Sequence, residues 1–130
     1  MRTKKNEVIL YGINEYKQVI DDIIADLNIT NDCFDIKLIL TEALTNAFKH
    51  GNNGNSKKPI YLRYIYNNNS IEFEIEDCGK GFNCLSIPNE LSDEKLLNNC
   101  GRGLFIIKCI ADKIEFKGNK LVIQKYLNVG

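Results

Sequence analysis

Two hydrophobic periods alternate along the chain. Residues 7–13, EVILYGI, are a short apolar run that predicts a strand. From Asn14, a residue suited to an N-cap, the segment EYKQVIDDIIADL sets Tyr16, Val19, Ile20, Ile23, Ile24 and Leu27 at helical spacing. Asp32 is placed to cap a second helix, with Asp35 adding an acid to its first turn. That helix runs to about His50, with Ile36, Ile39, Leu40, Ala43, Leu44 and Ala47 covering one broad face. Asn and Gly dominate residues 51–58, which read as a loop.

The period then changes to two. IYLRYIY (60–66) and IEFEIED (71–77) are strands joined by the turn Asn67-Asn68-Asn69-Ser70. Ile71, Phe73 and Ile75 face one way and Glu72, Glu74 and Glu76 the other, so one side of the sheet is buried and one is wet. Residues 78–100 form a long connection with a short helix around 93–97. LFIIKCIADKI (104–114) is apolar enough for a third, largely buried helix, and IEF with LVIQKYL closes the chain as a hairpin through Lys117-Gly118-Asn119-Lys120. The order predicts an α+β two-layer sandwich: one mixed or antiparallel sheet with about three helices on one face, in a single domain over residues 1–130.

Composition narrows the function. At 130 residues the chain has the size of one domain able to bury its own core. Lys plus Arg equals Asp plus Glu at 17 each, which argues against a broad nucleic-acid or anionic-membrane surface. No apolar run approaches a membrane span, and MRTKKNEVILYG lacks a signal-peptide core. Cys33, Cys78, Cys84, Cys100 and Cys109 are odd in number and show no CxxC spacing, which points away from disulfides or zinc and toward a reducing cytoplasm. One histidine excludes a multi-histidine metal centre.

Candidate chemistry is concentrated in three short stretches. In TEALTNAFKHG (41–51), Glu42, Asn46 and Lys49 with His50 follow at i, i+4 and i+7/i+8, a polar stripe beside the apolar face. An ordinary solvated edge would also read this way, so the stripe needs partners. EDCGKGF (76–82) ends a strand on Asp77 and turns at Gly79 and Gly81; glycines let a flat ligand approach the backbone, and a carboxylate accepts from a planar amine. CGRGLFII (100–107) opens an apolar helix from Gly101-Arg102-Gly103, an arrangement that offers amides to an anion. Each signal alone is weak.

In this order and spacing, EAxxNAxxHG, DxGxGF and GxG resemble the ATP-binding domain of GHKL proteins, which include gyrase, Hsp90, histidine kinases and MutL. Within that superfamily the chain is similar, over nearly its whole length, to bacterial anti-sigma-factor serine-protein kinases of the RsbW and SpoIIAB type. The resemblance implies ATP and Mg²⁺ as cofactors, with Asn46 as the Mg²⁺-binding asparagine and Glu42 as the general base for a substrate serine or for water. Lys49 corresponds to a phosphate-compensating lysine, while His50 has two readings, phosphate contact and local helix closure. Asp77 carries over as the adenine-reading carboxylate, Gly79 and Gly81 shape the wall behind the base, and Phe82 closes the same motif as a further nucleotide-binding residue. Gly101 and Gly103 carry over as hinge and phosphate cradle, with Arg102 and Leu104 presenting amides nearby, and Phe82 to Cys100 corresponds to the ATP lid.

The function implied is an anti-sigma factor that phosphorylates a STAS-domain antagonist and acts as a homodimer, with EVILYGI supplying a sheet-edge contact. One departure bears on this: Asn98-Asn99-Cys100 holds no arginine where one sporulation-type pattern has it, leaving Lys95 and Arg102 as the nearest cations. That weakens the expectation of phosphoryl transfer more than that of nucleotide binding. A nucleotide-responsive binding module without kinase activity is the alternative. A histidine kinase catalytic domain is a third, disfavoured by the lack of a dimerisation helix bearing a phosphorylatable histidine.

Overall fold

The computed structural model describes residues 3–29, 31–67, 69–79 and 99–127. Its elements run β1 (Lys4–Tyr11), α1 (Tyr16–Leu27), α2 (Cys33–Asn46), a π-helical turn (Ala47–Gly51), β2 (Pro59–Asn67), β3 (Ser70–Glu76), α3 (Asn99–Ile110), β4 (Lys113–Lys117) and β5 (Lys120–Tyr126). The expected short helix near 93–97, together with Gly81, Phe82, Lys95 and Asn98, lies outside the described residues.

All pairings in the five-stranded sheet are antiparallel, in the order β1-β2-β3-β5-β4. Both hairpins close locally. Asn67 Oδ1 accepts the Ser70 N–H at 3.1 Å and the Ser70 hydroxyl at 3.0 Å, and Gly118 turns at φ +64° between β4 and β5. The register sets Leu62 against Ile75 and Phe73 against Ile123, so the apolar members of the central strands share one face. On that face lie the helices, with α2 packed between α1 and α3. Ile39, Leu62 and Phe73 are fully buried there, each side chain contributing about 1.5–3 kcal/mol.

The opposite face is wet and laced by charge. Arg63 Nε donates to Glu7 at 2.6 Å, and its Nη1 donates to Glu74 at 2.7 Å and Glu76 at 2.9 Å, joining β1, β2 and β3. Lys125 breaks the pattern of its strand by pointing into the core side, 9% exposed, where its ammonium donates to the Ile110 carbonyl at 3.2 Å and pairs with Asp35 at 3.6 Å. A cation at the end of α3 complements the helix dipole and ties α3 to α2.

Several boundaries differ from the sequence expectation. β1 begins at Lys4 and ends at Tyr11. α1 is preceded by Glu15 rather than capped by Asn14, and Asp32 occupies the N-cap of α2 without a side-chain cap bond. α3 is described from Asn99, so Gly101, Arg102 and Gly103 lie within the helix and not before it. It ends at Ile110 because the chain then leaves for the sheet: the Asp112 N–H donates to Gln124 O at 2.9 Å, and Asp112 Oδ2 accepts the Tyr126 N–H at 2.6 Å. Ile114, apolar enough for either period, is therefore a strand residue.

Candidate functional site

The α-helical part of α2 ends at Asn46, and the chain continues as a π turn over Ala47–Gly51. The Asn52 N–H closes it on the Ala47 carbonyl at 2.8 Å, an i to i+5 bond. A wider turn redirects Lys49 and His50 relative to the α-helical stripe. Glu42, Thr45, Asn46, Lys49 and His50 then line one side of a cleft of about 220 Å³, and Arg102 and Gly103 of α3 line the other. The polar stripe thus meets the second glycine motif across a single gap. Thr45, between Glu42 and Asn46, carries no signal in the sequence, where it reads as an ordinary helix residue.

Gly103 permits the close meeting of the two helices. A Cβ placed there would stand 2.9 Å from Glu42 Oε1. His50 titrates below its ordinary 6.5, first because it is partly buried and second because Lys49 stands beside it. It is therefore neutral at pH 7, with a lone pair available.

Asp77 and Gly79 do not line this cleft. They stand against the last residue of the π turn: a Cβ on Gly51 would overlap the Asp77 carboxylate, and one on Gly79 would overlap the Gly51 carbonyl. The Gly79 N–H donates to Asp77 Oδ1 at 2.7 Å. Burial raises the Asp77 pKa above 3.8, the Gly79 bond opposes the rise, and the Glu76 charge adds to it.

Two asparagines with no distinguishing local pattern brace this turn. Asn52 is fully buried, and its Oδ1 accepts the Cys78 N–H at 2.7 Å. Asn119, in the β4–β5 turn, donates through Nδ2 to the Asp77 carbonyl at 2.5 Å. In a single sequence both are turn asparagines like their neighbours, and no local signal marks them.

The remaining expected residues divide. Gly101 falls near the described N-terminal end of α3, whereas the amides of Gly103 and Leu104 come later in the helix than a start after Gly103 would put them. The Leu104 side chain is buried in the core. A larger hollow of about 440 Å³ lies on the wet face of the sheet, lined by Lys5, Glu7, Arg63, Ile65, Glu72 and Glu74 among others. Its central guanidinium is already held by three carboxylates, so this hollow reads as a surface ion-pair network.

As donors, Glu42 and Asn46 offer one carboxylate and one amide oxygen to the cleft. Among the described residues no group of three or more His, Cys, Asp or Glu is placed to hold a metal unaided. The set fits Mg²⁺, which takes few protein oxygens and completes its shell with phosphate and water.

A five-stranded antiparallel sheet covered on one side by helices, with a helix-borne carboxylate and amide facing a glycine-containing helix start, is the arrangement of a histidine kinase-like ATPase. The chain belongs to the histidine kinase-like ATPase domain family, matching it over residues 14–125. It is similar to the serine-protein kinase RsbW of Listeria monocytogenes serotype 4a (strain HCC23), at 27% identity over 103 residues, covering 72% of this chain and 66% of that one. The RsbW of Oceanobacillus iheyensis is 30% identical, with 72% of this chain and 65% of the relative covered. The anti-sigma F factor of Clostridium perfringens (strain SM101 / Type A) is 28% identical over 101 residues, with 72% of each chain covered. The chain thus spans just under two thirds of the RsbW relatives it matches. Among the described residues no helix is long and apolar enough to cross a membrane.

Proposed function

We propose that the protein binds ATP with Mg²⁺ between α2, the Asp77 turn and the start of α3, and acts as an anti-sigma factor and protein serine kinase. In this reading it holds a sigma factor and phosphorylates a STAS-domain antagonist, whose unphosphorylated form competes for it and frees the sigma factor. The observation that carries the reading is the approach of Gly51, which directly follows the cleft residue His50, to Asp77; it supports treating the Glu42–Asn46–His50 stripe and the Asp77 carboxylate as parts of one site. The names of the relatives support the kinase and anti-sigma parts.

Each residue then has a task. Asp77 accepts the exocyclic amine of adenine, with Gly79 leaving room for the base. Asn46 holds Mg²⁺, which neutralises phosphate charge. Lys49 and Arg102 add positive charge along the triphosphate, and neutral His50 donates or accepts a hydrogen bond beside it. The Gly101 amide faces the phosphates from the described N-terminal end of α3. Glu42 takes the proton of the substrate serine as its oxygen bonds to the γ-phosphorus and the bond to the β,γ-bridging oxygen breaks, leaving ADP. β1, an edge strand with Ile9 50% and Tyr11 61% exposed, supports a homodimer contact.

Incubation with γ-labelled ATP and STAS-domain proteins encoded beside this gene tests the kinase. Transfer to a serine that is abolished in Glu42→Ala is expected; no transfer to any of them overturns kinase activity. ATP binding is tested separately by melting: ligand at a hundred times its Kd adds about 2.7 kcal/mol of stability. The missing arginine in Asn98-Asn99-Cys100 favours the second reading, a nucleotide-responsive regulator. Partner affinity that changes with nucleotide while no phosphoprotein forms selects it.

A further inference from the structure

Between the π turn and β2, residues Asn53 to Lys57 are exposed, yet Asn52 is buried at 0% exposure. Its whole carboxamide is in use. Nδ2 donates to the carbonyls of Lys58 and Pro59, both at 3.2 Å, and Oδ1 accepts the Cys78 N–H at 2.7 Å. A buried amide satisfied on both ends specifies one geometry, because displacing it strands polar groups away from water. Asn52 therefore cross-links the end of the π turn, the start of β2 and the turn that follows Asp77.

Asn119 completes the hold from the other side. Its Nδ2 donates to the Asp77 carbonyl at 2.5 Å, and its own carbonyl accepts the Asp77 N–H at 3.2 Å. With Oδ1 engaged by the Gly79 N–H at 2.7 Å, the carboxylate is fixed in rotation, and Oδ2 is set against Gly51. Neither asparagine lines the cleft.

We propose that Asn52 and Asn119 are positioning residues that clamp the Asp77 turn and thereby set the selectivity of the site for a purine with an exocyclic amine in the adenine position. The inference rests on Asp77 reading the base. A carboxylate locked in one orientation accepts from that amine and repels the carbonyl that guanine carries in its place. Once the turn is free to shift, the carboxylate reaches other donors of the guanine edge, and discrimination falls.

Calorimetric Kd values for MgATP, MgGTP and magnesium tripolyphosphate, measured on the full chain, test this. In Asn52→Ala the ATP-over-GTP preference narrows about tenfold, and in Asn119→Ala it narrows by a smaller factor, while tripolyphosphate binding is unchanged in both. A general loss of structure would instead weaken all three ligands together. An unchanged ratio in both variants, or equal weakening of all three ligands, overturns the clamp. If Asn52→Ala does not fold by circular dichroism, Asn119→Ala, in a partly exposed turn, decides alone. A wild type without preference for ATP overturns the base-reading role of Asp77 and the clamp with it; a wild type with that preference and unaltered variants overturns the clamp only.

Discussion

Gly51 and Asp77 occupy adjoining space such that a single methyl group on the glycine would overlap the carboxylate. Gly51 is not among the positive-φ glycines, so alanine fits its backbone and the collision alone decides the outcome. Gly51→Ala is expected to destabilise the fold by about 1–3 kcal/mol as Asp77 is pushed aside. It is expected to weaken ATP binding by more than it lowers the melting temperature would suggest. Parallel melting and ATP titration check this; retained ATP affinity would separate Gly51 from the site.

Asp77→Asn keeps a similar shape and removes the charge. Burial raises the Asp77 pKa, so the folded state binds its proton more tightly than the unfolded state does. The stabilisation from the protonated form is complete below 3.8 and is lost as pH rises through the folded value. At pH 7 the wild type carries the full cost of the ionised group. Asp77→Asn is expected to melt higher than wild type at pH 7, with the difference shrinking toward acid, while binding of ATP is lost. Melting curves across pH give the sign directly.

His50 is the only histidine in the chain, so its ring protons can be followed without assignment. Its folded pKa lies below 6.5, with burial the larger cause and Lys49 the smaller. Its contribution to stability is present above 6.5 and is lost as pH falls through the folded value. An NMR titration of Lys49→Gln is expected to show a rise that stops short of 6.5, because the burial remains. His50→Gln is expected to flatten the stability profile in the same window.

Gly103→Ala separates chemistry from folding. The added methyl would stand 2.9 Å from Glu42 Oε1, the mobile end of a side chain, so the carboxylate moves and the helices stay. Replacing a helical glycine by alanine itself favours the helix by roughly 0.5–1 kcal/mol. Phosphotransfer to a STAS-domain substrate is expected to fall by up to about 10²-fold with little change in ATP Kd. A variant that transfers phosphate normally would remove Glu42 from the reacting centre.

Some of this site could be read directly along the chain. Glu42 and Asn46 share a stripe because helical spacing puts them there, and Asp77 directly follows a strand because the alternation of Ile71, Phe73 and Ile75 stops beside it. The start of α3 could not be read. Gly101 and Gly103 each disfavour helix, so Cys100-Gly-Arg-Gly looks like a turn, yet burial of Leu104 and Ile107 against α2 extends the helix back through both glycines. The π turn was likewise hidden, since Phe48 to His50 continue the helical pattern while the Asn52 bond to Ala47 widens it.

By itself the sequence determined the two hydrophobic periods, the side of the sheet that is buried, and the order of the three motifs, because these depend on local geometry that repeats every two or 3.6 residues. The tertiary structure alone decided which motifs touch. Gly51 meets Asp77 and Gly103 meets Glu42 only after strand register and helix packing have brought distant segments together. The roles of Asn52 and Asn119 were decided there too, because a carboxamide becomes a structural bond only where folding removes its water and leaves it specific partners.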